Sequence, residues 1–407
     1  MNWLYLMASI FLALYALLLL WSALQCRYEN NQSKKPIELT SNTYQTKPSK
    51  QDAVYYKFSI LVPFRNEQEN LPQLWHAINQ IDYPETHVEI LFIDDHSEDL
   101  GFEFLHTRQS AGTFTTTVLK LSKDDGFGKK QALKLGVDSA LHPWIITLDA
   151  DVVMTPLWLK SINEALRVKK IKFLAGPVVT QFSGTLLGHM QSAEFSALQG
   201  LTKAFFNTKP ILCNGANLVY EKSLFDSVSG FDGNRHLSSG DDVFLMEKIR
   251  AYNPSILGYN SDCFGAVMTQ LTPNWKTYKA QQIRWFSKTT ALKNWRLTTI
   301  AGLIFTTNLL MVIGFFLMAF LIVTHHPKWP QLLNYMVIYF AFKFIVDHIF
   351  LLTNSPKDIM VRLWRLPRVS WPKQIIASII YPFWIVFLIV CAPFHHPKWK
   401  GKPIKYT

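Results

Sequence analysis

Apolar positions in this chain follow two patterns: long unbroken runs near its ends, and short runs alternating with helical periodicity between them. From Met1 to Cys26 no residue is charged, and Leu4 to Leu24 is almost wholly apolar, enough to span a bilayer core as a helix. A cleaved signal peptide would want a basic start and a small-residue cleavage site. "MNW" has no base and "SALQC" is a poor site, so a retained anchor is expected. Further apolar runs cover Leu297 to Thr324, Gln331 to Thr353 and Gln374 to Phe394. The middle one carries Lys343, Asp347 and His348. It reads either as a span whose Lys343 and Asp347 pair at helical spacing, or as an amphipathic helix lying at the interface.

Residues 27 to 54 are polar and patternless, a tether. After them "KFSILVPF", "VEILFID", "TTTVLKL", "WIITLDA" and "KFLAGPVV" read as strands, with "EQENLPQLWHAINQ" and "KKQALKLGVDSAL" as helices. Near-continuous apolar strands alternating with helices predict a Rossmann-like, mostly parallel α/β sheet covered on both faces. Ligands on such sheets bind beyond the carboxyl ends of the strands. The expected organisation is an anchor over 1–26, a linker over 27–55, an α/β domain over 56–296, a membrane region with two or three spans over 297–394 and a basic tail over 395–407.

Charge narrows the partners. A formal net charge of +12 suits an anionic one: nucleic acid, anionic lipid or a phosphorylated substrate. Aromatics at 14% and a slightly positive mean hydropathy turn the balance towards membrane lipids and away from nucleic acid. Arg27, Lys34 and Lys35 follow the first run, and Lys276, Lys279, Lys288 and Lys293 precede the second, which places the polar region in the cytoplasm. The segment with Arg362, Arg365, Arg368 and Lys373 and the tail "HHPKWKGKPIKYT" are both basic. One of the three C-terminal runs is therefore expected not to cross. Cys26, Cys213, Cys263 and Cys391 show neither metal spacing nor a disulfide framework, in keeping with a reducing face.

The acidic residues carry the chemistry. "ILFIDDHSED" ends its strand on Asp94 and Asp95, and "IITLDAD" ends on Asp149 and Asp151. If those strands are parallel, all four carboxylates gather at the binding edge. Asp149 and Asp151 flank a single residue and repel each other, so a positive partner should sit between them. Hard oxygens suit Mg2+ or Mn2+ with positions left for phosphate oxygens, although Asp-x-Asp is also common in surface turns. Asp94 and Asp95 could hydrogen-bond a base or ribose, or Asp95 could cap the next helix. Lys129 opens "GKKQAL" close to a helix N-terminus, where phosphate is favoured; a solvated lysine is the alternative. In "SSGDDVFLMEKI", Asp241 and Asp242 suit an N-cap or a general base for an acceptor hydroxyl. Gln281, Arg284 and Trp285 of "QQIRWFSK" could brace a diphosphate and stack a sugar, or anchor the chain at a membrane surface.

Taken in order, "VPFRNE", "IDDHSED", "GKKQAL", "LDAD", "NGANLVY", "GDDVFL" and "QQIRW" resemble the family-2 inverting glycosyltransferases of the GT-A fold. Most similar are membrane-embedded members with a Gln-x-x-Arg-Trp motif: cellulose, hyaluronan, chitin and poly-N-acetylglucosamine synthases and ceramide glucosyltransferases. The resemblance runs from Lys57 to about Lys288. It implies a GT-A catalytic domain flanked by transmembrane helices, a UDP-sugar donor, Mg2+ or Mn2+, and a lipid-linked or glycan acceptor. It also implies a bacterial inner membrane with the catalytic domain on the cytoplasmic side. Pro63, Arg65 and Glu67 would lie against the nucleotide, Asp94 would contact the uridine, and Asp95 and Lys129 would belong to the same donor site. Asp149 and Asp151 would hold the diphosphate through the metal, Asp242 would be the catalytic base, and Gln281, Arg284 and Trp285 would close over diphosphate and acceptor. Relatives usually have Glu where Asp241 stands, and many have Tyr or His at Arg65. Within the family a processive polysaccharide synthase is the alternative to a single transfer. A glycoside hydrolase would not need a metal-spaced pair, a nucleotidyltransferase usually carries a glycine-rich phosphate loop that "VPFRNE" lacks, and a non-catalytic membrane scaffold needs no such acidic set.

Overall fold

Helix α1 (Asn2–Gln32) takes up the first apolar run. The computed structural model describes residues 2–32, 54–122, 126–181, 183–206, 208–233, 240–291, 294–354, 370–394, 398–399 and 402–403. Most of the expected linker, the basic segment with Arg362, Arg365 and Arg368, and most of the tail lie outside these. The chain divides into an α/β unit, mainly Arg27–Val179 and Phe206–Gln270, and a helical unit of Met1–Cys26, Thr180–Phe205 and Leu271–Ile404.

In the α/β unit, β1 (Phe58–Phe64) is followed by α2 (Leu71–Asn79), β2 (Val88–Asp94), α3 (Gly101–His106), β3 (Thr115–Lys120), α4 (Lys129–Ser139) and β4 (Trp144–Leu148). Then come β5 (Val152–Met154), α5 (Trp158–Lys169), β6 (Phe173–Ala175) and β7 (Val178–Thr180). The chain passes through α6 (Leu186–Phe206), assigned largely to the helical unit, and returns as β8 (Asn217–Glu221), α7 (Lys222–Ser227), α8 (Asp241–Tyr252), β9 (Leu257–Tyr259) and β10 (Val267–Thr269).

Seven strands pair in the order β3-β2-β1-β4-β8-β6-β9. The first four are parallel, β8 runs antiparallel to both neighbours, and β6 and β9 are parallel. A second sheet has the order β5-β10-β7. Every residue of β1, β2 and β4 is buried, as expected of strands that are apolar on both faces. Burying each of Ile60, Leu61, Ile90 and Ile146 completely contributes roughly 1.5–3 kcal/mol. The expected single strand "KFLAGPVV" is instead two, β6 and β7, in different sheets. Pro177 between them has no N–H for a ladder, so the chain changes sheet there.

Strand order reverses between β1 and β4, since β2 and β3 lie on one side of β1 and β4 and β8 on the other. The β1–β4 pairing ends at Leu61 opposite Thr147, leaving Pro63 beyond its last pair. A crevice at the carboxyl ends of such a switch point is where open α/β sheets bind ligands.

The helical unit adds α9 (Trp275–Ala291), α10 (Trp295–Val323), α11 (Trp329–Asn354) and α12 (Trp371–Cys391). Among the described residues, four helices are long and apolar enough to cross a membrane: Asn2–Glu29, Trp295–Val323, Trp329–Asn354 and Trp371–Phe394. Ala8, Leu12, Tyr15, Ala16 and Leu19 make one face of α1 and share a core with Met311 of α10 and Tyr339, Val346 and Phe350 of α11. Lys343 and Asp347 pair as their spacing predicts, at 2.6 Å, and the Tyr15 hydroxyl of α1 donates to the other Asp347 oxygen at 2.7 Å.

Ile146 is fully buried in the middle of the sheet, and truncating it leaves a void its neighbours cannot fill. Ile146→Ala is expected to lower stability by about 2–5 kcal/mol in chemical denaturation of the detergent-solubilised protein. A loss below about 1 kcal/mol would mean β4 is not a central strand.

Candidate active site

Parallel β1, β2 and β4 deliver their following residues to one edge: Arg65 after β1, Asp94 and Asp95 at the end of β2, Asp149 and Asp151 after β4. Helix α8 begins with Asp241 and Asp242, and its N-cap is Gly240, so both aspartates lie in the first turn. Carboxylates there are favoured by the helix dipole.

One lysine brings these elements together. The Lys129 ammonium donates to Asp149 Oδ1 at 2.5 Å and lies 3.4 Å from Asp241 Oδ2. Burial works against its charge, yet Asp149 and Asp241 outweigh burial and push its pKa up. A side chain of α4 thus gives Asp149 a positive partner, placed between Asp149 and Asp241 rather than between Asp149 and Asp151 as expected. Asp242 lies alongside: its Oδ1 accepts the Val243 amide at 2.8 Å and its Oδ2 the Gly215 amide at 3.1 Å. Gly215 is in turn fixed by the Thr147 hydroxyl of β4, which donates to its carbonyl at 2.9 Å. A Cβ on Gly215 would lie 3.0 Å from Asp241 Oδ2 and 3.3 Å from Lys129 Nζ, so any larger residue would make this ion pair shift by a few tenths of an ångström.

Asp151 sits in a second group. Its Oδ2 accepts the Thr269 hydroxyl of β10 at 3.2 Å. Burial, then the charges of Asp149 and Glu67, push its pKa up to about 7. Glu67, expected against a nucleotide, therefore also bears on the Asp151 carboxyl; its Oε2 accepts the Asn70 amide at 2.6 Å. Among the described residues no three His, Cys, Asp or Glu side chains form a ready metal cage. Two carboxylates one residue apart still fit magnesium or manganese, which commonly take one or two carboxylates and fill the rest with water and phosphate oxygens.

The β2 end separates the two aspartates. Both Asp95 oxygens accept the Gly128 amide, at 3.1 and 3.0 Å, so Asp95 anchors the residue before Lys129 rather than capping its own following helix. Gly128 has φ +110°, a conformation that favours glycine. Asp94 Oδ1 accepts the Ser97 amide at 2.9 Å, while its buried Oδ2 makes no hydrogen bond among the described residues, with Lys120 Nζ 3.9 Å away. Arg65 is likewise buried, its Nε without a hydrogen-bond partner and one terminal nitrogen 3.8 Å from Glu98. Buried polar atoms without partners cost free energy, and a polar ligand at this edge could satisfy both. Pro63 lines the end of β1.

Gln281, Arg284 and Trp285 are not in this unit; they lie on α9 of the helical unit, each half-buried, with the Trp285 ring 6.1 Å from Phe195. Sequence reasoning did not single out Gly215, Thr147 or Thr269. Gly215 stood within "NGANLVY" as part of a motif, whereas nothing in the sequence marks Thr269 as a partner of Asp151.

The sequence matches Glycosyl transferase family 2 over residues 59–228 and Glycosyl transferase family group 2 over residues 144–392. It is 27% identical over 240 residues to a probable glycosyltransferase of Bacillus subtilis, covering 56% of this chain and 54% of that one. It is 23% identical over 235 residues to poly-beta-1,6-N-acetyl-D-glucosamine synthase of Staphylococcus epidermidis, covering 56% and 53%. The chain thus spans about half the length of the curated relatives it matches. A mannosyltransferase from Pyrobaculum calidifontis, solved in complex with GDP-Man and Mn2+, superposes with a TM-score of 0.52 at 14% identity, over 94% of this chain and 99% of that one. That likeness is one of fold, the GT-A architecture implied by the motif order.

The raised pKa of Asp151 has a sign that can be tested without metal. Its contribution to stability is present at low pH and is lost as pH rises from about 4 through about 7. With a chelator present, Asp151→Asn is expected to leave Tm unchanged near pH 4. The gain should grow towards pH 7 and level off above it, followed by intrinsic fluorescence. A gain independent of pH would show that the carboxyl is not held neutral by its surroundings.

Proposed function

The chain belongs to the family-2 glycosyltransferases, and from that premise we propose a membrane-bound, inverting enzyme that moves a sugar from a UDP-sugar to a hydroxyl of a lipid-linked or glycan acceptor. The observation that carries this reading is the Lys129 bridge, which draws the strand-end Asp149 and the helix-start Asp241, with Asp242 beside it, into one cluster.

The steps follow from what these residues can hold. Pro63, Arg65, Glu67 and Asp94 line the edge that would take the nucleotide, where the buried Asp94 Oδ2 and Arg65 Nε lack partners. Asp95 sets the start of α4, and Lys129 puts a positive charge where a diphosphate would lie. A magnesium or manganese ion on Asp149 and Asp151 would add positive charge for the departing diphosphate. Asp242 accepts one amide on each oxygen and keeps lone pairs for a hydroxyl proton. As the acceptor oxygen bonds to the anomeric carbon, its proton passes to Asp242. The bond from that carbon to the diphosphate breaks, its electron pair leaves with UDP, and the configuration inverts. For Gln281, Arg284 and Trp285 as a clasp on diphosphate and acceptor, the support is their motif. The basic residues flanking the first two spans support a cytoplasmic catalytic unit at a bacterial inner membrane.

A second reading, a processive polysaccharide synthase, is favoured by the name of the Staphylococcus epidermidis relative. Product length separates it from single transfer: polymer longer than a few sugars from purified protein would replace the first reading by the second.

The test of the activity is UDP release by detergent-solubilised protein across a panel of UDP-sugars, with and without Mn2+ or Mg2+. Release with one donor is expected to depend on the metal and to fall by roughly 10²–10⁴-fold in Asp242→Asn. Release unaffected by that substitution would remove Asp242 from the chemistry. If no nucleotide sugar is turned over or bound in calorimetry, the donor assignment fails.

A further inference from the structure

The helical unit contains a cavity to which the steps above assign no role beyond that of Trp285 in its wall. Its volume is about 150 Å3, and its wall is built by Glu194 and Leu198 of α6, Gln282 and Trp285 of α9, and Ile385 and Leu388 of α12. An apolar cavity of that size admits a benzene-sized group, so it would take the start of a hydrocarbon chain rather than a whole one. The aliphatic side comes from α12, within a segment apolar enough to cross a membrane, so the natural source of hydrocarbon is a lipid.

The polar end is built, not incidental. Glu194 Oε2 accepts the Gln282 amide at 2.7 Å and the Tyr278 hydroxyl, and the Tyr381 hydroxyl of α12 also hydrogen-bonds the carboxyl. Tyr278 is held in turn by a stacked Trp384, ring centroids 5.3 Å apart. Three donors on a group with about four lone-pair positions fix the carboxyl and leave room for one more. Burial pushes its pKa up to about 7.

A carboxyl end with no lysine or arginine among the described wall residues discriminates between lipid head groups. A phosphate would bring negative charge beside Glu194, and no lysine or arginine among the described wall residues offsets it. A hydroxyl would donate to the free position. We propose that this cavity binds the head-proximal hydrocarbon of an uncharged lipid alcohol, whose hydroxyl donates to Glu194. Trp285 is part of the wall, so the bound lipid touches the helix that carries the Gln-x-x-Arg-Trp motif. The proposal holds whether or not the donor assignment above does.

The test uses full-length protein in zwitterionic nanodiscs containing one of two photoreactive probes with identical acyl chains, a diacylglycerol or the corresponding phosphatidic acid. After irradiation, labelled residues are mapped by peptide mass spectrometry. The diacylglycerol probe is expected to label α6, α9 and α12 around Leu198, Gln282 and Ile385 at least about tenfold more than the phosphatidic acid. Glu194→Leu should erase that preference, and Leu198→Trp or Ile385→Trp should fill the cavity and remove the label. Equal labelling by both probes, stronger labelling by phosphatidic acid, or no label on these helices from either overturns the proposal. The wild-type comparison decides it even where a variant does not fold, and UDP release reports separately on the transferase reading.

Discussion

Carboxylates cannot be gathered at a sheet edge without a cation to hold them, and that constraint organises the α/β unit. At about 4 Å, like charges near a protein surface repel by roughly 4 kcal/mol, and an opposite charge gains as much. Lys129 supplies that charge to Asp149 and Asp241 together, so the end of β4 and the start of α8 meet at one ammonium. Its position is set in turn by Gly128, whose left-handed conformation is held by both oxygens of Asp95. The glycine at 215 belongs to the same arrangement, because a side chain there would press against the ion pair.

Polar groups in the helical unit obey the same rule under harsher conditions. Ions in an apolar setting are expensive unless paired, and Lys343 and Asp347 pair within α11 while Tyr15 of α1 completes the carboxylate. That contact gives α1 a specific rotational setting against α11, which the apolar face of Ala8, Leu12 and Leu19 alone would leave loosely defined. Glu194 plays the corresponding part among α6, α9 and α12, with three hydroxyl or amide donors in place of a cation. Those three hydrogen bonds let a carboxyl sit beside Leu198 and Ile385 without collapsing the apolar wall.

What the sequence determined by itself was whatever depends on neighbours along the chain. Apolar runs buried on both faces marked β1, β2 and β4, and "VEILFID" coincides with β2, because burial and strand period are local properties. The four long apolar helices were legible for the same reason, as was the Lys343–Asp347 pair at one helical turn. Only the tertiary structure decided what depends on residues far apart. The identity of the cation beside Asp149 rests on a contact between β4 and α4 across 20 residues, and Asp95 turned out to hold Gly128 33 residues away. Thr269 reaches Asp151 from 118 residues on. The antiparallel β8, the division of "KFLAGPVV" between two sheets and the grouping of most of α6 with the membrane helices were equally hidden. Periodicity reports which face of an element is buried, but not which other element buries it.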